Sequence, residues 1–437
     1  MTFRTVLMAA ASLLLVSAGL HAQADSNATQ PSVLTLEQAE SIALANQPRL
    51  LAAQLRARAM AQRIREARSA SMPAVAFNAT GVIVADTGTS ISAGNITTSA
   101  VSDRFAYGGN LTQLVTDFGR TSALVSSSRY QATAQNDLAT LTRAQVKLNV
   151  RETYYQVLGA EAVLRAAQAA QANRQLISRQ LNALAQSELR SALDAHFASV
   201  LESEADLAVV RAQSVVAQQR SRLATAMGQQ QPIKAALFDA TTTNHLPPPP
   251  PEGLEQQAQA QRADLSAMQA QQRAAQEFAV SEKRLSYPSL NVLGAAGQIP
   301  FRDHTLRDTY AAAGFNLNIP VFNGGLFAAR RAEAELEAHA RTQDVEQVRL
   351  QVNEQVREAW YRADEAFRSL DVTARLAAQS KEALRLAQDR YDAGLGSIVE
   401  LNEAQLNETS AEITAADATY TYLLRRAELD FATGLLN

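Results

Sequence analysis

Val150-Arg151-Glu152-Thr153-Tyr154-Tyr155 recurs 206 residues further on as Val356-Arg357-Glu358-Ala359-Trp360-Tyr361. The same offset, without a gap, sets Gly119 against Gly325, Leu189 against Leu395, Ser191 against Ser397, Glu202 against Glu408 and Gly228 against Gly434. Over those roughly 110 positions about a fifth are identical, and the register holds through two turns and both ends. Upstream, Ser71-Met72-Pro73 answers Ser286-Tyr287-Pro288 at a larger offset, so the first copy carries a longer loop between Pro73 and Asp117. A period this long marks a duplicated structural unit.

Both copies show one order of elements. A helix (about 35–70 and 252–286) ends at proline, and two strand-like runs follow, expected as β-hairpins over 74–116 and 289–322. A glycine turn then opens a very long helix, a short polar turn (187–191 and 393–397) reverses it, and a last helix closes the copy. The domain reading is a leader over 1–24, a first repeat over 25–228, a Pro-rich linker over 229–251 and a second repeat over 252–434. Pro247 to Pro251 cannot join a helix or a ladder, so the linker reads as an extended polyproline spacer.

The long helices are read from what they lack. Between Gly325 and about Arg390 there is neither Pro nor Gly, a run of about 100 Å at 1.5 Å per residue. Val345, Val348, Val352, Val356 and Ala359 recur at three- and four-residue steps, the seam of a packed helix. A helix of that length needs partners in water.

The strand-like runs separate a rod from a channel. Phe315-Asn316-Leu317-Asn318-Ile319 alternates strictly, and Val75-Ala76-Phe77-Asn78-Ala79-Thr80 nearly so. Phe105, Tyr107, Leu111 and Val115 share one parity, opposite Asn110 and Thr112. One apolar and one small-polar face suits a membrane barrel strand with lipid outside and water inside, and equally a half-buried strand of a soluble sandwich. Four strands cannot close a barrel across a bilayer, so protomers must pool them, and three would supply twelve. Pro73 and Pro288 stop a helix where a strand must begin. Asp117-Phe118-Gly119 and Phe322-Asn323-Gly324-Gly325 return strand to helix, with Phe118 and Phe322 suited either to an inner aromatic belt or to ordinary packing.

The first residues point to export. Arg4, the apolar run Val6 to Val16 and Ala22-Gln23-Ala24 make a signal peptide, with the mature chain starting near Asp25. The apolar run is shorter than the roughly 20 residues a spanning helix needs. The chain has no cysteine, so it is not lipidated at an N-terminal Cys. A net charge of -3 offers no basic face for nucleic acid. His196, His245, His304 and His339 stand in unrelated contexts, and no metal-ligand cluster, catalytic triad, phosphate loop or cofactor fingerprint is present. An enzyme is therefore not expected. The rival to a channel is a periplasmic coiled-coil adaptor or tether without a pore.

Taken together, these residues resemble the TolC-like outer-membrane factors. The resemblance runs from Leu34-Thr35-Leu36-Glu37-Gln38-Ala39, with Asn46-Gln47-Pro48, through Val321-Phe322-Asn323-Gly324-Gly325 and Tyr391-Asp392-Ala393-Gly394-Leu395-Gly396-Ser397 to Phe431-Ala432-Thr433-Gly434. It implies a mixed α and β, mostly α fold. A homotrimer forms a twelve-stranded barrel in outer-membrane lipid, continued into the periplasm by a tunnel of twelve helices. The implied partners are a periplasmic adaptor and an inner-membrane pump, proton-driven or of ABC type, in efflux or type I secretion. The tip turns, with Leu189, Arg190, Ser191, Gly394, Leu395, Gly396 and Ser397, would dock the adaptor. Asp194, Glu400 and Glu403 match acidic positions that narrow the family's tunnel, and Tyr391 matches a tyrosine that holds the tip closed. Glu188 stands where the family has a glycine, and Gly396 replaces a basic residue that would lock the tip by an ion pair.

Overall fold

The computed structural model describes residues 33–83, 104–189, 191–239, 245–301 and 307–437. The expected leader, Arg190 and His304 lie outside the described residues. In chain order the elements are β1 (Val33–Leu34), α1 (Leu36–Asn46), α2 (Pro48–Ser69), β2 (Ala74–Val82), β3 (Arg104–Thr116), α3 (Arg120–Gln186), α4 (Ala192–Ala226) and β4 (Ala236–Leu237). They continue with α5 (Leu254–Gln261), α6 (Ala263–Lys283), a 3-10 turn (Arg284–Ser286), β5 (Ser289–Phe301), β6 (Thr309–Asn318), α7 (Leu326–Asp392) and α8 (Ile398–Ala432).

α3 and α7 each hold 67 residues, about 100 Å of helix, and α4 and α8 each hold 35. All four begin and end at matching positions 206 apart. Each opening helix, expected as one piece, is broken in two. Gln47 and Arg262 turn extended (ψ 113° and 124°) between their helices. At Gln47 the cause is Pro48, which takes the first position of α2, where no amide is needed. At Arg262 the buried guanidinium is tied to Asp264 and to Gln355, the latter at 2.7 Å.

The linker also differs from a detached spacer. β4 lies within it and pairs in parallel with β1. The Tyr154 hydroxyl sits between the Leu34 and Phe238 carbonyls, at 2.9 and 2.8 Å, and burial pushes its pKa up to about 12. Further on, Trp360 Nε1 donates to the Pro249 carbonyl at 2.8 Å and the Tyr422 hydroxyl to that of Leu246. The proline segment is thus strapped onto α7 and α8. Beneath the β1–β4 pair Val150, Tyr154, Val157, Leu223 and Met227 form the largest buried apolar cluster, with Leu34 and Leu50 closing it.

The helices stand side by side. Near the turns the neighbours run α4, α3, α8, α7; near the sheet they run α2, α3, α6, α7. One flank of the protomer therefore ends in α2 and α4, the other in α7. The sheet repeats this pattern, with order β2-β3-β5-β6, every pairing antiparallel, and free edges at β2 and β6.

Candidate functional site

Register decides which side chains share a face of the sheet, because directly paired residues point the same way. Val75, Phe77 and Ala79 pair with Leu111, Gly109 and Tyr107; these continue to Gly294, Ala296 and Gln298, and Val292 continues to Phe315. That face is apolar. The other carries Asn78, Thr80, Asn110 and Thr112 with Asn291 paired to Asn316, and Asn78 donates to Asn110 at 2.8 Å. Both faces are bare: every residue of β6 is exposed, and Phe77, Phe315 and Val75 stand among the most exposed apolar side chains. Phe118 and Phe322 are exposed too, the latter at 88%. A sheet with bare apolar residues and two open edges is not at rest in water.

The junctions follow the expected chemistry. Asp117 accepts from the Gly119 amide at 3.1 Å and from the Thr121 amide at 2.7 Å, capping α3. Gly119 and Gly325 hold the left-handed position before each long helix (φ 90° and 83°). Pro73 and Pro288 stand immediately before β2 and β5.

At the opposite end the two turns share a backbone and differ in sequence. The Leu189 amide donates to the Leu184 carbonyl at 3.0 Å and the Leu395 amide to that of Arg390 at 2.8 Å, the six-to-one closure of a left-handed helix end. Gly394 supplies the left-handed residue (φ 77°) in the second turn; in the first that residue is Glu188 (φ 60°), strained because it carries a Cβ. Ser191 and Ser397 cap α4 and α8, accepting from the Leu193 and Glu400 amides at 3.1 Å each. Leu189 and Leu395 project into solvent, and Gly396 packs closely on the backbone of Arg390 and Tyr391.

Of the expected acidic residues, Asp194 and Glu400 occupy the first turns of α4 and α8, and Glu403 is exposed one turn above Glu400. Glu400 meets a cation the sequence reading missed: Arg390 Nε lies 3.1 Å away, reaching across the turn from the last residues of α7. Arg390 thus places a cation from the preceding helix beside the turn that holds Gly396. Tyr391 is buried at 5% exposure among Leu181, Ala198, Ala387 and Leu401, where all four helices meet. Above it runs a polar layer: buried Arg174, its pKa lowered by desolvation, donates to Asn402 at 3.1 Å, beside buried Ser178 and Gln405. Apolar contact joins the two hairpins at the turns, and a buried polar layer joins them above.

No helix among the described residues is long and apolar enough to cross a membrane. A long helical hairpin pair carrying a bare two-faced sheet matches one known family. The family model for outer membrane efflux proteins covers residues 39–229 and 254–435. The chain belongs to that family. Outer membrane efflux proteins of the TolC-like kind are transport channels, so the resemblance read from the sequence holds. The TolC of Salmonella enteritidis is 24% identical over 124 residues, 28% of this chain and 25% of that protein. The chain thus matches about a quarter of that curated relative's length. Solved structures agree on the fold over far more of it. A membrane protein from Pseudomonas aeruginosa superposes at a TM-score of 0.81, with 22% identity, over 91% of this chain and 90% of its own. The open-state MtrE outer membrane channel of Neisseria gonorrhoeae gives 0.77 and 21%, over 91% and 88%.

Proposed function

We propose that this outer membrane efflux protein works as one third of a passive duct: a homotrimer with a twelve-stranded barrel continued by a helical tunnel into the periplasm. The observation that carries this reading is the four-stranded sheet, polar on one face and apolar on the other, open at both edges. Pooling three copies puts the apolar faces on outer-membrane lipid and the Asn and Thr faces on water, and it leaves no backbone edge unpaired. The duplicated unit suggests how copies meet, since the packing of α3 on α8 inside a protomer can be repeated by α7 on the α4 of the next. There the space beside Gly159 lies 3.6 Å from Tyr420 Cβ, and the matching positions between copies are Glu365 and Ser214.

In this reading the chain is exported by its leader. The tips around Leu189 and Leu395 meet a periplasmic adaptor, and an inner-membrane pump supplies the energy. Asp194, Glu400 and Glu403, repeated by the threefold axis, become rings of like charge that favour cations. Tyr391 acts from inside, holding the two hairpins of each copy together. The test uses the absence of native cysteine. Glu365→Cys with Ser214→Cys should oxidise into a covalent trimer, because the expected Cβ separation fits a disulfide. Only monomer after oxidation of the detergent-extracted protein would reject the ring.

A further inference from the structure

The seam expected between copies at the barrel end sets charged residues at positions where its counterpart inside the protomer has neutral ones. Inside the protomer α6 lies on α3. Ser127 Oγ donates to the Ala274 carbonyl at 2.8 Å, and Gln131 and Gln271 line one groove with Phe278, a groove that Met60 of α2 and Glu337 and Arg341 of α7 also border. α3 corresponds to α7 at an offset of 206. α2 corresponds to α6 at 215, an offset kept by the helix breaks at Gln47 and Arg262 and by Pro73 and Pro288. Carried across, the contact sets Ala59 of a second copy against Glu333, and Arg56 level with Glu337. A Gln–Gln pair becomes Arg facing Glu. Leu55, 62% exposed, takes the place of Ala270, buried at 7%. Arg63 follows Arg56 two turns along the same stripe, and Glu66 comes level with the first turns of α7, near Arg330.

A second observation is independent of that correspondence. Past Arg49, which donates to Gln145 at 2.7 Å, α2 carries Arg56, Arg58, Arg63, Arg65 and Arg68 against the single acid Glu66, and none of these six makes an ion pair among the described residues. On the opposite flank, Glu282, Glu333 and Glu337 line one groove between α6 and α7 with Arg330. Glu282 is buried at 8% exposure, yet its carboxylate has no hydrogen bond or ion pair among the described residues. Glu337 holds Arg341 at 3.0 Å, an exposed pair free to rearrange, and Arg341 also reaches Asp344. One flank is over-supplied with cations and the other with carboxylates, at the same height.

We propose that copies of this chain recognise one another at the barrel end through Arg56 and Arg63 of α2 in one copy and Glu333 and Glu337 of α7 in the next. Because α3 and α7 offer similar surfaces, charge is what distinguishes the neighbouring copy's α2 from the chain's own α6. The proposal rests on the ring reading above, and its test keeps the two apart. Arg56→Glu and Glu337→Arg, each alone, should speed subunit exchange between detergent-solubilised full-length trimers, roughly fivefold at each seam, by replacing an attraction with a repulsion. The double reversal should return exchange to near the native rate. Ala59→Cys with Glu333→Cys should cross-link copies on oxidation. Cross-linking at Glu365→Cys with Ser214→Cys but not here would overturn this seam and leave the ring standing; failure at Glu365→Cys with Ser214→Cys would overturn the ring. A cross-link here with no effect of single reversals, or no rescue by the double, would overturn recognition by charge.

Discussion

Replacing Glu188 by Gly should stabilise the first tip, by an amount the structure lets us work out. Glu188 sits at φ 60°, where its Cβ costs roughly 1–2 kcal/mol. Glycine removes that strain but gains freedom in the opened chain, which takes back roughly 0.5–1 kcal/mol. The net gain is about 0.5–1 kcal/mol, a two- to fivefold shift in a local opening equilibrium by rough conversion. The second tip supplies the reverse experiment, because Gly394 holds the same place at φ 77°. Gly394→Ala should loosen its turn by a similar amount. Hydrogen exchange resolves both, where a global melting curve would miss a turn so far from the core. The Leu189 amide, bonded to the Leu184 carbonyl, should exchange roughly two- to fivefold more slowly in Glu188→Gly. The Leu395 amide, bonded to that of Arg390, should exchange faster in Gly394→Ala. An unmoved Leu189 amide, or the same sign of change at both tips, would refute the strain argument.

Four further outcomes are expected. Tyr391→Ala empties a site enclosed by four helices, costs about 3–5 kcal/mol locally and should raise the resting conductance in planar bilayers; native conductance would mean that Tyr391 does not hold the hairpins. Glu400→Ala with Glu403→Ala should weaken block of the pore by multivalent cations, and unchanged block would return both residues to an outer, solvated face. Glu408 has its pKa raised, chiefly by burial and then by Glu412, with Lys381 opposing. The folded chain therefore binds more protons there than the unfolded one. Its contribution is full at low pH and lost as pH rises from the ordinary carboxylate range through the raised value, so Glu408→Gln should flatten that slope in denaturant midpoints. At Gly297 an added Cβ meets the Gly108 Cα at 2.7 Å, so Gly297→Ala should destabilise the sheet by roughly 1–3 kcal/mol, read as a lower temperature for loss of the folded gel form.

Much of this architecture was legible because its determinants are local and repeated. Strand parity in Phe315 to Ile319, the prolines before β2 and β5, and the glycines before α3 and α7 act on their own backbone, so they can be read without the fold. The break at Gln47 follows from Pro48. The matching break at Arg262 has no proline to mark it; its guanidinium is held by Asp264, close in sequence, and by Gln355, brought near by packing. β1 and β4 hold two residues each, too few to show a period, and the Tyr154 hydroxyl that bonds the Leu34 and Phe238 carbonyls beside them is distant in sequence. Arg390 was missed because the cation was sought inside the turn, whereas an arginine on the preceding helix has the reach to meet Glu400. The proposed acidic rings and seam charges would form only in an assembly of copies, so no reading of one chain places them.

The mass of the particle in gentle detergent tests the central claim most directly. Native mass spectrometry of the extracted protein should give three copies of the mature chain and no stable single one, with the sheet edges β2 and β6 protected from hydrogen exchange. A lone chain with those edges exchanging freely would contradict it.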